Sequence, residues 1–245
     1  MTVTLANETD AAALPDGIDP RLVSLLKPDS FEADQYRMLR YAVERACPSE
    51  AARVVAVTSA VPGDGKTLTA VNLAAAIARA GQSRVLLIDA DLRRPAVARV
   101  LGRDTGHRGW GLVDAILDKR LSLDQVTWPL DPFNLAVVTS RRPQADTYEL
   151  LASGRFAELV REARERYDYI VIDTPPVLPA PDSRLLAGMI DGYLIVVAAD
   201  KTPRRLLEET LALLGPEKIL GLVFNRESFK HSRYGRYYYA YTSRS

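Results

Sequence analysis

The sequence predicts a doubly wound α/β domain built on a mostly parallel sheet. Short β-branched runs that are apolar on both faces recur along the chain. Helical segments separate them, and three of the runs end in a glycine-rich turn or an aspartate. Strands with two apolar faces must be covered on both sides, which is the parallel-sheet arrangement.

The elements follow in order. Met1 to Pro20 is rich in small and acidic residues without periodicity and reads as a mobile arm. Ser30 suits an N-cap, and Tyr36, Leu39, Val43 and Cys47 recur at helical spacing after it. Val54 to Val57 is the first strand and Leu68 to Ala80 the helix behind it. Val85 to Ile88, Leu135 to Val138, Tyr169 to Ile172, Tyr193 to Ala198 and Ile219 to Phe224 are further strands. Between them lie helices at Gly111 to Leu117, Thr147 to Glu165 (with a break at Gly154), Ser183 to Met189 and Leu206 to Leu214. Residues 21–225 thus read as one domain and residues 226–245 as a tail.

Composition narrows the function. The chain has 245 residues, 47% of them hydrophobic, which fits one large α/β domain. A net charge of +1 argues against bulk nucleic-acid binding. The single cysteine, Cys47, excludes an intrachain disulfide and a four-cysteine metal site. No apolar run approaches the ~18–20 residues of a membrane span, and the N-terminus lacks a signal-peptide pattern, so a cytoplasmic protein is expected. The tail is different in kind: it carries five Lys/Arg against Glu227, together with Tyr234, Tyr237, Tyr238, Tyr239 and Tyr241.

Ala60-Val61-Pro62-Gly63-Asp64-Gly65-Lys66-Thr67 joins the first strand to its helix, with Leu68 opening the first turn. Glycines there let backbone N–H groups approach a polyphosphate, and the helix N-terminus adds favourable partial charge. Lys66 supplies a point charge and the Thr67 hydroxyl can ligate Mg²⁺. Asp89 and Asp91 follow the second strand, and Asp173 follows the strand at Tyr169 to Ile172. In open α/β sheets ligands bind beyond the carboxyl ends of strands, where these three carboxylates cluster. Hard carboxylate oxygens suit Mg²⁺ held mostly through waters. ATP and Mg²⁺ are therefore the expected ligands. The competing reading of each aspartate alone is a cap of the next helix, and for Asp182 the N-cap reading is preferred. Asn225, closing the last strand, either offers its amide to adenine or simply ends the strand.

These three segments resemble those of the bacterial tyrosine kinases, the cytoplasmic autokinases of capsule and exopolysaccharide assembly. They look like that family's Walker A, its aspartate-bearing Walker A′ and its Walker B. The resemblance extends over residues ~20–241, including Tyr148-Glu149-Leu150-Leu151, Thr174-Pro175-Pro176-Val177-Leu178 and the tyrosine tail. It implies that Lys66 and Thr67 hold phosphates and Mg²⁺, that Asp91 and Asp173 organise the metal, and that Asp89 is the candidate base toward the incoming phenol. It implies phosphoacceptor tyrosines at 234, 237, 238, 239 and 241. It also implies a homo-oligomeric ring, such as an octamer, through a helix stripe that appears here as Asp34, Arg37 and Arg40, with aspartate where the family has glutamate. A membrane polysaccharide co-polymerase as activator, and a cognate phosphotyrosine phosphatase, are the implied partners, with the kinase held at the inner face of the membrane.

Two rivals share the phosphate site. A positioning ATPase of the MinD/ParA type has this fold, but it carries a signature lysine where this chain has Val61. A nucleotide-binding adaptor of a polysaccharide export machine needs the site without the transfer. The basic tyrosine tail read alone also suits a single-stranded nucleic acid or an anionic membrane surface.

Overall fold

The computed structural model describes residues 17–47, 52–81, 83–103 and 109–226. Residues 1–16 of the expected arm and the five tail tyrosines lie outside the described residues. Strands β1 (Arg53–Ser59), β2 (Val85–Asp89), β3 (Thr127–Pro129), β4 (Leu135–Val138), β5 (Tyr169–Asp173), β6 (Gly192–Ala198) and β7 (Ile219–Asn225) form one sheet. Its order is β3-β4-β2-β5-β1-β6-β7, parallel throughout except for β3 against β4.

Alternate residues of the central strands feed two cores. Val54, Ala56, Leu86, Ile88, Ile170 and Ile172 face one side, and Val55, Val57, Leu87 and Val171 face the other. The first side is covered by α8 (Gly154–Arg166) and the second by α3 (Lys66–Arg79). Helix α3 is buried along Thr69–Ala78, because α1 (Val23–Leu26) and α2 (Phe31–Ala46) pack on its outer side. Its alanines allow that close double packing. Ser30 caps α2 as the sequence predicts, its hydroxyl accepting from the Ala33 N–H at 3.2 Å.

The sequence patterns miss the short elements α1, α4 (Val97–Val100), α6 (Leu123–Val126) and strand β3. Three or four residues carry too little periodicity to register. The long helix divides into α7 (Thr147–Ala152) and α8 at Ser153, one residue before the expected break, because Ser153 caps α8. The helix expected at Ser183 to Met189 is a 3-10 helix, Pro181–Gly188. Gly17–Pro20, the end of the expected arm, is fixed by a bridge between Ile18 and Leu101 and by Asp19 N–H on the Val100 carbonyl at 2.9 Å. The remaining helices are α5 (Leu112–Leu117) and α9 (Arg204–Leu214).

One buried amide ties this outer layer to α3. Asn72 accepts from the Ser24 N–H at 2.9 Å and donates to the carbonyls of Arg21 at 3.0 Å and Leu68 at 2.9 Å. Replacing it leaves two backbone groups of the α1 region without partners. Asn72→Ala is expected to cost about 2–3 kcal/mol, read as a lower urea midpoint with an unchanged slope.

Candidate functional site

Strand order builds the site. Strands β2, β5 and β1 are neighbours, and Asp173 is the register partner of both Asp89 and Val57. The carboxyl ends of these strands therefore bring Asp89, Asp91 and Asp173 beside the loop that leaves β1. That loop turns through Gly63 (φ +89°) and Gly65 (φ +99°), a backbone region that side chains disfavour. A Cβ on Gly65 would lie 2.0 Å from Asn225 Nδ2. Helix α3 starts at Lys66, and its first N–H groups have no intrahelical partners.

Lys66 Nζ lies 2.6 Å from Asp91 Oδ2, 3.4 Å from Asp173 Oδ1 and 3.5 Å from Thr67 Oγ1. Burial opposes the ammonium charge, but the Asp173 and Asp91 carboxylates outweigh it and hold Lys66 above the usual lysine value. Burial, followed by the neighbouring Asp173 charge, pushes Asp89 well above the ordinary carboxyl range. Burial also raises Asp173, partly offset by Lys66. One oxygen of Asp89 and one of Asp173, Oδ1 and Oδ2 respectively, are buried without a partner.

The cleft over this cluster has a volume of about 430 Å³. Gly63, Gly65, Lys66, Thr67 and Leu68 form its floor; Asp91, Arg93, Arg94, Arg99 and Pro175–Pro176 stand around it. The size suits a nucleotide. Among the described residues no three His, Cys, Asp or Glu side chains are grouped to hold a metal by themselves. Mg²⁺ does not require such a cage, since it keeps waters and shares phosphate oxygens. Asp173, with one unpartnered oxygen and the Thr67 hydroxyl close by, fits an ion bound in that way.

Not every expected residue faces the cleft. Asp64 is fully buried, and its Oδ1 accepts from Thr202 Oγ1 at 2.8 Å, so the carboxylate braces the loop from behind. Asn225 donates to the Asp64 carbonyl at 2.7 Å and accepts from the Arg226 N–H at 2.9 Å, so its amide supports the loop rather than turning out to a base. Asp89 Oδ2 accepts from the Ala96 and Val97 N–H groups, both at 3.0 Å, and so caps α4. Asp182 does not cap its helix, whose N-cap is Ala180. It is buried and receives Arg93 through two bonds of 2.7 and 2.9 Å and the Thr147 hydroxyl at 3.1 Å. Asp34, in the first turn of α2, and Arg37 and Arg40 after it do not line the cleft; Arg37 is paired to Asp34 and Arg40 to Glu44.

Sequence reasoning missed a clamp on the loop at Gly63, formed by a residue that also lines the cleft. Arg226, assigned to the tail, donates to the Gly63 carbonyl at 2.7 Å, and the Lys201 ammonium lies over Gly63. Positive φ at the non-glycine residues Asp200 and Arg226 marks the two strand ends that grip it.

A strand–glycine loop–helix with its lysine held by two strand-end carboxylates defines a P-loop nucleotide-binding protein. Residues 52–203 match a family described as an AAA domain. The chain is 35% identical over 221 residues to the tyrosine-protein kinase YwqD of Bacillus subtilis (strain 168), covering 88% of this chain and 90% of that one. It is 33% identical over 233 residues to the succinoglycan biosynthesis transport protein ExoP of Rhizobium meliloti (strain 1021), covering 86% of this chain but 29% of that longer protein. The crystal structure of the chimerical protein CapA2B2 superposes with a TM-score of 0.77 at 28% identity, over 86% of this chain and 92% of that one. The chain belongs to the bacterial tyrosine kinase family.

Two outcomes follow from this geometry. Gly65→Ala forces both the φ and the Asn225 contact, and is expected to weaken ATP binding at least tenfold in a titration. In the nucleotide- and metal-free protein, the raised values of Asp89 and Asp173 mean that the folded state binds protons more readily than the unfolded chain. Stability is then lost as pH rises above about 4 through those raised values. Asp89→Asn is expected to raise the melting temperature at pH 7.5 by about 3 °C, or ~1 kcal/mol, and the gain should shrink toward pH 4.

Proposed function

We propose that this protein-tyrosine kinase phosphorylates its own tail, at Tyr234, Tyr237, Tyr238, Tyr239 and Tyr241, in trans within a ring. In doing so it regulates polymerisation and export of a capsule or exopolysaccharide. The observation that carries the reading is the Lys66–Asp91–Asp173 cluster at the floor of a nucleotide-sized cleft, in a chain of this family. No helix among the described residues is long and apolar enough to cross a membrane. We assign attachment to the inner face of the membrane, and activation, to a membrane co-polymerase of the polysaccharide system. We assign reversal to a phosphotyrosine phosphatase.

The residues divide the work by chemistry. The glycine loop and the first turn of α3 offer backbone N–H groups to the phosphates. Lys66, held charged by two carboxylates, supplies the cation for the transferred group. Thr67, Asp91 and Asp173 are the residues that would hold Mg²⁺, directly or through its waters. Bound there, the ion neutralises charge on the phosphates. A tyrosine phenol has a pKa of ~10 and is a weak nucleophile at neutral pH. Asp89, whose burial raises its affinity for a proton, is the better base of the group, and its unpartnered Oδ1 is the atom we assign to receive the phenolic proton. Asp34, Arg37 and Arg40, on the polar stripe of α2, are assigned to the ring contact.

A positioning ATPase would use the same floor. Intact-mass analysis and peptide mapping after incubation with ATP and Mg²⁺ separate the two. The kinase reading predicts a ladder of phosphates on Tyr234 to Tyr241, absent in Lys66→Met. ATP hydrolysis without phosphotyrosine would favour the positioning ATPase. For the base, Asp89→Asn is expected to lower the transfer rate by about 10²–10⁴-fold and to flatten the acid limb of its pH profile. An Asp89→Asn profile parallel to wild type would move the role to Asp91.

A further inference from the structure

A second cavity lies on the other side of α3, away from the phosphate cleft. Its volume is about 270 Å³, and Ser24 of α1, Arg37 and Arg40 of α2, and Arg79 in the last turn of α3 line it together with Pro28 and three alanines. No acidic residue lines it. Three donors from three separate elements are left over there. The Ser24 hydroxyl is buried at 3% exposure and has no partner. Arg40 Nε is likewise buried without a partner, while the rest of that guanidinium reaches Glu44 and stacks over Tyr41. Arg79 has no carboxylate partner among the described residues and only rests over the Phe133 ring at 5.3 Å. The Arg37 guanidinium is already held by Asp34 and the Pro28 carbonyl.

Two of these donors, the Ser24 hydroxyl and Arg40 Nε, are buried without acceptors, which is costly, and the exposed Arg79 guanidinium adds a positive charge at the cavity mouth, so the cavity calls for an anion. The shape of the donor set selects which one. A carboxylate offers two oxygens in one plane, whereas these donors approach from three helices. A phosphate monoester presents three terminal oxygens in a tetrahedron and carries about −1.5 to −2 charge at pH 7. A volume below the ~300–1,000 Å³ of larger ligand sites admits a small phosphoester and not a nucleotide. We propose that the Ser24–Arg40–Arg79 cavity is a binding site for a phosphate-monoester dianion, distinct from the P-loop. The source that fits the chemistry of this enzyme is a phosphotyrosine carried by another copy of the chain. That source rests on the autophosphorylation reading, whereas the anion site itself does not. Occupancy would place the reaction's product against α2, the helix assigned to the ring contact, and so link tail modification to assembly.

The test uses the full chain, dephosphorylated and saturated with ADP and Mg²⁺ so that the P-loop is filled. Calorimetric titration with phenyl phosphate is expected to show one site, weakened at least tenfold by Arg79→Gln and also by Ser24→Ala. Arg79 is exposed on its helix, so Arg79→Gln should leave melting temperature and tail labelling unchanged. Loss of tail labelling in wild type would strike the kinase reading instead. Phenyl phosphate binding more tightly than inorganic phosphate supports the phosphotyrosine source. Equal binding of the two, still sensitive to Arg79→Gln, supports the site with free phosphate as its ligand. Absence of binding, or titrations that coincide for wild type and both variants, overturns the proposal.

Discussion

Everything at the phosphate cleft depends on one constraint: β1, β5 and β2 lie side by side and in register at their carboxyl ends. A parallel sheet delivers the chain to the same edge each time, so three strand ends separated by many residues open onto one spot. The Ala90 N–H on the Asp173 carbonyl at 2.8 Å and the Thr174 N–H on the Val57 carbonyl at 3.1 Å stitch those ends together beyond the strands. A slip in this register would separate Lys66 from its carboxylates and leave three buried charges uncompensated.

That concentration of charge opposes folding, and the structure answers it locally. Two amide N–H groups at the start of α4 meet Asp89, and Lys66 meets both Asp91 and Asp173. The answer is incomplete, since Asp89 and Asp173 each keep an oxygen without a partner. Leaving those oxygens unpaired comes at some expense in the stability of the protein, the cost expected where a site serves function rather than folding. The loop backbone is braced by other groups, although Asp64 too keeps one buried oxygen, Oδ2, without a partner. Thr202 holds the Asp64 carboxylate, and Asn225 and Arg226 hold the Asp64 and Gly63 carbonyls, so the loop backbone is tied to β7 and to the turn after β6.

Much of this was legible in the sequence. The Lys66–Thr67 loop, the aspartates closing β2 and β5, the Ser30 cap and the two-faced apolar strands each announce themselves through local pattern. What the sequence did not disclose depends on distant pairing. The Arg93–Asp182 contact joins residues 89 apart, and nothing local distinguishes Asp182 from a helix cap. Asn225 and Arg226 look like a strand end followed by a tail, and only the position of β7 beside β6 turns them toward Gly63 and Asp64. The Arg79 cavity is invisible for the same reason: its donors come from three helices with no shared motif.

The proposed reaction requires Lys66 to be held by Asp91 and Asp173 only until phosphates take it. A crystal structure of the protein with ADP and Mg²⁺ tests this most directly. Lys66 Nζ is expected on a phosphate oxygen with its bond to Asp91 opened, and the ion near Thr67 and Asp173. A nucleotide bound elsewhere, with the Lys66–Asp91 pair intact at its present separation, would contradict it.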